Sequence, residues 1–405
     1  MNAWLLAWRN VLRNRRRSLV TILIATVGCA AVLIASGFAL YTYEALREGA
    51  AKEFGHLTVA APGYFDRDEE TPMQYGMTGY GELTARLRRN PHVRQVLPRV
   101  ALSGLISNGD KSVIFMGLGA DIAAESAVRG EFLEIKEGGT TLPPGREGLP
   151  PVLLGTDLAK SLNAHPGTGL TLLATTTSGG INAVDVMVAG IVATGWREID
   201  KRLVYTDVPT AQHLLMSDRI STLSVYLDDT EATQGVFDEL AAADAAHTYK
   251  PWWEQSFYYH SVRAIYNRIF GLLGLIIAVL VFFSVANTLS MAVVERTREI
   301  GTLRALGALP QEIVAQFVQE GALIGVVGAA AGTLLALLIV AVLPHAGMEM
   351  PPPPGRSVGY PLLVNFSWPL YLLVNALIVA LCAAAAWFAS RKSAKKPIVE
   401  ALGHV

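Results

Sequence analysis

Glu295, Arg296, Arg298, Glu299 and Arg304 alternate in sign along one short stretch, and Ile300, Leu303 and Leu306 thread between them at helical spacing. With Gly307 they form the candidate site. The chemistry on offer is recognition rather than bond-making. A helix of this kind presents an apolar stripe to one partner and charges to another. The bland alternative is that the charges only solvate a turn, and periodicity alone leaves both readings open.

Other chemistry lacks the residues it needs. Asn108-Gly109-Asp110-Lys111-Ser112 resembles a phosphate loop only superficially, because Asp110 separates the glycine from the lysine and the context is a hairpin. The eight histidines are scattered, with no His-x-x-x-His and no cysteine pair, so a metal site has no support. Asp66, Asp68, Glu69 and Glu70 lack calcium-loop spacing and read as a solvated loop. No Gly-x-Ser-x-Gly occurs, and no apolar run carries a Ser–His pair or two aspartates. Catalytic, cofactor-binding and metal-binding residues are therefore expected to be absent.

The elements that position the candidate site are apolar. Hydrophobic residues make up 52% of the 405 and charged ones 17%, an excess concentrated in four runs that each suffice to cross a bilayer. The spacing predicts transmembrane helices over residues 18–40, 269–294, 313–343 and 369–390, with the candidate site in the loop 295–312. Between the first two runs lies a segment of ordinary soluble composition, 41–268. The expected fold is an α-helical membrane protein with one plus three spanning helices and a large mixed α+β domain outside the cytoplasm, between helices 1 and 2. Arg9, Arg13, Arg15, Arg16 and Arg17 precede the first run, Arg296, Arg298 and Arg304 follow the second, and Arg391, Lys392, Lys395 and Lys396 follow the fourth. The remaining short loop, 344–368, holds only Arg356. This asymmetry predicts that both termini and the central loop are cytoplasmic. Residues 1–17 read as an interfacial helix anchored by Trp4 and Trp8, and 391–405 as a cytoplasmic tail. A signal cleaved before Cys29 is disfavoured, since the apolar run continues through Leu40.

The two cysteines, Cys29 and Cys382, fall in predicted spans, so disulfides do not staple the large segment. Its pattern predicts a hairpin around Asn108-Gly109-Asp110, further strands over 56–61, 152–154, 170–175, 184–192, 202–205 and 221–227, and helices over 82–89, 158–162, 209–215 and 231–242. The Pro/Gly/acid-rich interval 136–151 is the expected boundary between two subdomains. Residues 252–268 should continue the second spanning helix outward as a stalk. In the third span, Gly321/Gly325 and Gly328/Gly332 are Gly-x-x-x-Gly pairs that let helices approach closely, either within the chain or across a dimer. Glu320 beside them is expected to be a solvated or paired carboxylate at the helix end. The proline run from Pro351 in the last loop reads as a stiff spacer.

Residues 287–310, with Glu295-Arg296-Thr297-Arg298-Glu299-Ile300-Gly301 and Leu303-Arg304-Ala305-Leu306-Gly307-Ala308, resemble the signature of FtsX/MacB/LolC-type ABC transporter permeases. The resemblance extends to Gln319-Glu320-Gly321, to the C-terminal Pro397-Ile398-Val399-Glu400-Ala401-Leu402, and, less specifically, from Leu153-Leu154-Gly155 through Gly167, which is similar to the MacB-like periplasmic domain. It implies a permease of the bacterial inner membrane, working with a second permease copy or paralogue and with a dimer of separate cytoplasmic ATPase subunits that bind the ATP. In the family the loop between the second and third spans is the coupling helix. That role falls here on residues 295–307, with Ile300, Leu303 and Leu306 filling the ATPase groove and Glu299 and Arg304 making polar contacts. ATP-driven motion then drives the periplasmic domains, which is mechanotransmission. The implied function is export or release of a lipoprotein, lipid-linked or periplasmic substrate, with a periplasmic adaptor or lipoprotein carrier as a further partner and no nucleic acid. The alternative is FtsX-like signalling, in which the periplasmic domain activates a cell-wall hydrolase without transport. A receptor or enzyme acting without an ATPase is the third class, and co-purification of an ATPase excludes it.

Overall fold

The computed structural model describes residues 11, 15–141, 148–352 and 359–397. Most of the interfacial helix expected over 1–17, the proline run from 353 and the tail from 398 lie outside them. Among the described residues, four helices are long and apolar enough to cross a membrane. The spanning helices are α1 (Arg15–Phe54), α2 (Phe257–Glu295), α4 (Pro310–Val342) and α5 (Trp368–Ser393), with the short α3 (Thr297–Ala305) between α2 and α4. A large α/β domain lies in sequence between α1 and α2, as the composition predicts. The chain divides into two compact units. One comprises residues 1–44, 262–349 and 361–405, and the other residues 45–261 and 350–360.

In the membrane unit, small residues set the helix spacing. Ala25, Cys29, Val285, Ile324, Ala329, Ala336, Ile378, Cys382 and Ala386 belong to one buried cluster drawn from all four spans. A Cβ at Gly321 would sit 2.5 Å from Ala386 Cβ, and one at Gly325 2.9 Å from Val379 Cα, so this pair is closed over by α5. At Gly328 and Gly332 the obstacles are Ala25 Cβ and Cys29 Cβ, both at 2.6 Å, so the second pair is closed over by α1. Both Gly-x-x-x-Gly pairs are thus consumed within the chain. Polar contacts also join these helices: the Thr333 hydroxyl donates to Asn375 Oδ1 (3.1 Å), the Cys29 thiol of α1 lies 3.8 Å from the same oxygen, and within α5 Asn375 Nδ2 donates to the Tyr371 carbonyl (2.8 Å). Each member gains a partner it cannot find in lipid.

In the large domain, β2 (Val93–Ser107) is shared by two lobes. Its first half pairs with β9 (Thr222–Leu227), which continues through β1 (Leu57–Ala60) to β10 (Thr248–Pro251), all antiparallel. Its second half enters a closed ring. From β2 the ring runs to β3 (Ser112–Gly119), β8 (Leu203–Thr206), β5 (Pro151–Gly155), β7 (Ile181–Ala193) and β6 (Gly169–Thr175), and β6 pairs back with β2. Closure leaves no open sheet edge around the ring. The crossing of β2 and β6 is tight, for a Cβ at Gly104 would lie 2.0 Å from the Leu173 carbonyl oxygen. Ile106, Phe115, Val152, Leu172, Val186 and Val204 are fully buried within the domain core.

Two boundaries differ from the sequence reading. The interval 136–151 does not divide the lobes, because β4 (Glu134–Gly138) and β5 both pair with β7. The division falls inside β2, where the pairing partner changes while the hydrophobic alternation runs on. The stalk begins at Phe257 rather than Trp252, since Ser256 leaves the helical region and its hydroxyl accepts from the Tyr259 amide (3.2 Å).

The first helix also outruns its apolar stretch. Composition marks Leu40 as its limit, yet α1 continues through polar helix formers to Phe54 and reaches about 60 Å at 1.5 Å per residue. Its last turn lies in the large domain, and every terminal carbonyl there is satisfied. Gly55, at φ 92°, donates its amide to Ala51 O (2.9 Å), the left-handed ending only glycine adopts freely. The Tyr226 hydroxyl donates to Lys52 O (3.2 Å), Arg99 Nη1 and Arg129 Nη2 donate to Glu53 O (2.9 and 3.1 Å), and Ser224 and Thr58 hydroxyls donate to Phe54 O (2.9 and 3.0 Å). Arg99 also forms a fork with Glu125 at 2.6 and 2.8 Å and reaches the Tyr226 oxygen at 2.7 Å. Arg129 Nη1 donates to Tyr205 Oη at 2.6 Å. Burial works against the charge on Arg99, but Glu125 and the tyrosine oxygens outweigh it and hold the guanidinium pKa above its ordinary value.

The glycine contacts give a paired expectation. Gly332→Ala should lower the stability of the full chain by about 1–3 kcal/mol, because a methyl group is forced onto α1. Gly274→Ala in α2, with nothing within 4 Å of the new carbon, should raise it by about 0.5–1 kcal/mol. Thermal unfolding in detergent checks both, and equal shifts contradict the packing.

Candidate docking site between the second and third spans

The site is built where α2 stops. At Arg296 the backbone leaves the helix (φ −99°, ψ 12°), and α3 restarts at Thr297, whose hydroxyl donates to the Val294 carbonyl at 2.7 Å. Arg296 fixes this corner. Its Nε donates to Glu299 at 2.9 Å, its Nη1 donates to Glu320 at 3.0 Å, and its guanidinium lies 5.4 Å from the centre of the Phe317 ring. Burial pulls the Arg296 pKa down, but the hydrogen bonds to Glu299 and Glu320 and the Glu320 charge raise it further, so it stays above the ordinary arginine value. Glu320 is therefore a paired carboxylate at the membrane edge, and α3 is tied to α4 through charge.

The far end of α3 is closed by backbone. Gly307 at φ 101° lets its own amide donate to Arg304 O (3.1 Å) and the Ala308 amide to Leu303 O (3.0 Å), the double bond of a left-handed helix ending. The Leu309 amide then donates to Glu312 Oε2 at 2.9 Å, and Pro310 opens α4. Arg17 in α1 pairs with Glu295 at 2.5 Å, an exposed contact of small energetic weight.

The predicted residues separate into two groups. Ile300 is buried with Val293, Ile313, Phe317 and Ala394, so it belongs to the core beneath α3 and cannot fill a partner's groove. Arg304 donates to the Lys396 carbonyl and Arg296 faces inward, so both serve the chain's own structure. Exposed on the outer face are Arg298, Glu299, Leu303, Leu306 and Gly307, with Leu303 at 40% and Leu306 at 82%. Leu309, 60% exposed, extends this apolar patch. Helical spacing gives no sign of it, because Gly307 ends the helix and Leu309 is extended. The patch offers no catalytic geometry. It is a small apolar surface flanked by Arg298 and Glu299 on a helix held rigid at both ends.

A family model described as the FtsX-like permease C-terminal matches residues 271–398, which contain this site. A second, the MacB-like periplasmic core domain, matches residues 18–243, more than half of the chain. Among curated relatives, the lipoprotein-releasing system transmembrane protein LolC of Neisseria meningitidis is 30% identical over 225 residues, 52% of this chain and 54% of that protein. The LolC of Xylella fastidiosa is 24% identical over 322 residues, 78% of this chain and 72% of that protein. The macrolide export ATP-binding/permease protein MacB 1 of Aeromonas hydrophila is 46% identical over 61 residues, 15% of this chain and 9% of that protein. The chain spans about half the length of the first of these relatives. With the four membrane helices and the inserted α/β domain, these matches show that the chain belongs to the FtsX/MacB/LolC-like family of ABC transporter permeases.

Proposed function

We propose that the chain is the membrane subunit of an ABC system whose ATP is hydrolysed by a separate chain docked on the outer face of α3. The observation that carries this reading is the exposure of Leu303, Leu306 and Leu309 along α3 and the turn that follows it. Three leucines exposed within seven residues and flanked by charge suit the core and rim of a contact with a partner chain. The arginines flanking the spans support a cytoplasmic location for α3 and both chain ends, which puts the large domain on the periplasmic side of an inner membrane. Nucleotide-driven movement of the docked ATPase pushes α3, and α3 hands the displacement to α2 and α4 through Arg296 and its carboxylate partners. The work is then done by the periplasmic domain on a lipoprotein or other lipid-linked substrate, in line with what the two LolC relatives are named for.

Two substitutions in one helix should behave differently. Fully burying a leucine side chain is worth about 1.5–3 kcal/mol, so Leu306→Asp should weaken ATPase association at least tenfold while the protein inserts at wild-type levels. The measurement is vanadate-sensitive ATP hydrolysis in complexes purified through the full-length permease. Wild-type hydrolysis in the Leu306→Asp complex refutes the docking face. Purified wild-type permease with no associated ATP hydrolysis refutes the functional class.

Ile300→Ala should instead cost about 2–5 kcal/mol of stability by opening a cavity, and it should lower the amount of folded protein. Arg296→Ala should destabilise by about 1–3 kcal/mol because the buried Glu320 carboxylate loses its charge-assisted hydrogen bond to Arg296. Adding Glu320→Gln to Arg296→Ala should recover part of that loss. Unfolding midpoints of the single and double variants check both statements.

A further inference from the structure

We infer that Arg99, Glu125, Arg129 and Tyr226 form a rigid coupling between the first spanning helix and the large domain, so that displacement of α1 moves the domain as one body. This rests on the proposed function, in which the domain is driven from the membrane.

The geometry points to a mechanical role. A helix that ends in a domain needs partners for its last four carbonyls, and water or a few hydroxyls suffice for that. Here an amide and hydroxyls serve three of the four, but the Glu53 carbonyl is taken by two arginines, Arg99 at 7% and Arg129 at 8% exposure, paired through a fully buried Glu125. Burying such a group is a poor way to gain stability, since an apolar cluster of equal volume does as well or better. What charged hydrogen bonds add is direction. The two guanidinium groups approach Glu53 O from separate elements, Arg99 from β2 and Arg129 from the helix Ile122–Arg129. Tyr226 reaches the neighbouring Lys52 O from β9. Contacts from three elements on consecutive carbonyls fix both the axial position and the rotation of the helix end, which apolar packing leaves free to slide. The same turn is held laterally by Ala50 and Ala51 against Trp252 and Tyr259, with those two rings 4.9 Å apart.

The test uses the full chain assembled with its ATPase in nanodiscs. Spin labels are placed at Asp110→Cys, on the exposed hairpin tip, and at His345→Cys, at the outer end of the third span. The native Cys29 and Cys382 are buried and do not compete for label. The wild-type inter-label distance should differ between nucleotide-free and vanadate-trapped states. Arg99→Lys keeps the charge but cannot hold Glu125 as a fork while reaching both Glu53 O and Tyr226. It should abolish the nucleotide-dependent shift while ATP hydrolysis and the Asp110 label's line shape stay as in wild type. Tyr226→Phe, which removes one hydroxyl, should reduce the shift by less. If Arg99→Lys fails to fold, the outcome rests on Tyr226→Phe, for which a wild-type shift overturns the coupling. A wild-type shift in folded Arg99→Lys overturns it equally, as does a loss of shift and hydrolysis together in proportion to folded protein. A wild-type complex without any nucleotide response overturns the proposed function, and the coupling with it.

Discussion

A helix that leaves the bilayer carries unmet hydrogen-bond acceptors at its end, and their satisfaction organises the large domain. The last four carbonyls of α1 recruit an amide from Gly55, side chains from β1, β2 and β9, and one from the helix Ile122–Arg129. The long strand β2 is central to this arrangement. Arg99 sits where its pairing changes from β9 to β3, so the residue that grips the helix end also lies at the junction of the two lobes.

The same demand acts at the other polar edge of the membrane, where a different device meets it. Between α2 and α4 the chain must reverse direction without leaving backbone groups unpaired. At one end of α3 the Arg296 side chain holds the corner by donating to the Glu299 and Glu320 carboxylates, and at the other Gly307 closes the backbone by its left-handed conformation. Both ends being fixed, the face between them has no freedom to bury its leucines internally. Their exposure is a consequence of the capping and not of a loose loop.

Much of this was legible in the sequence, and the failures have physical causes. The spans and the one-plus-three order follow from run length alone, and the hairpin at Asn108-Gly109-Asp110 forms with Gly109 at φ 94° and Ser107 opposite Ser112. The stripe Ile300, Leu303, Leu306 was read as one face. At about 100° per residue, however, each step of three turns the side chain back by about 60°, so Ile300 and Leu306 point about 120° apart. One enters the core and the other faces out, and periodicity does not say which. The four glycines of α4 do share a stripe, yet two different helices cross it at different depths. The arginine cluster was invisible for another reason. Arg99 and Glu125 are separated by 26 residues and Arg99 and Tyr226 by 127, so nothing in the local sequence brings them together.

These causes bear on how force can pass through the chain. Apolar contacts such as those of the glycine pairs resist compression but have little preference for one sliding position over the next, because dispersion is weak per contact and nearly isotropic. Hydrogen bonds to charged groups are short and angular, and they fall away steeply when a donor turns from its acceptor. The chain uses the first kind along the buried lengths of its spans. It uses the second where α3 joins its neighbours and where α1 ends. Under the proposed function, small-residue packing lets a spanning helix shift against its neighbours, while the hydrogen bonds on its terminal turn hold that turn to the large domain. That division of labour requires buried charge at the helix end, where composition alone would have predicted none.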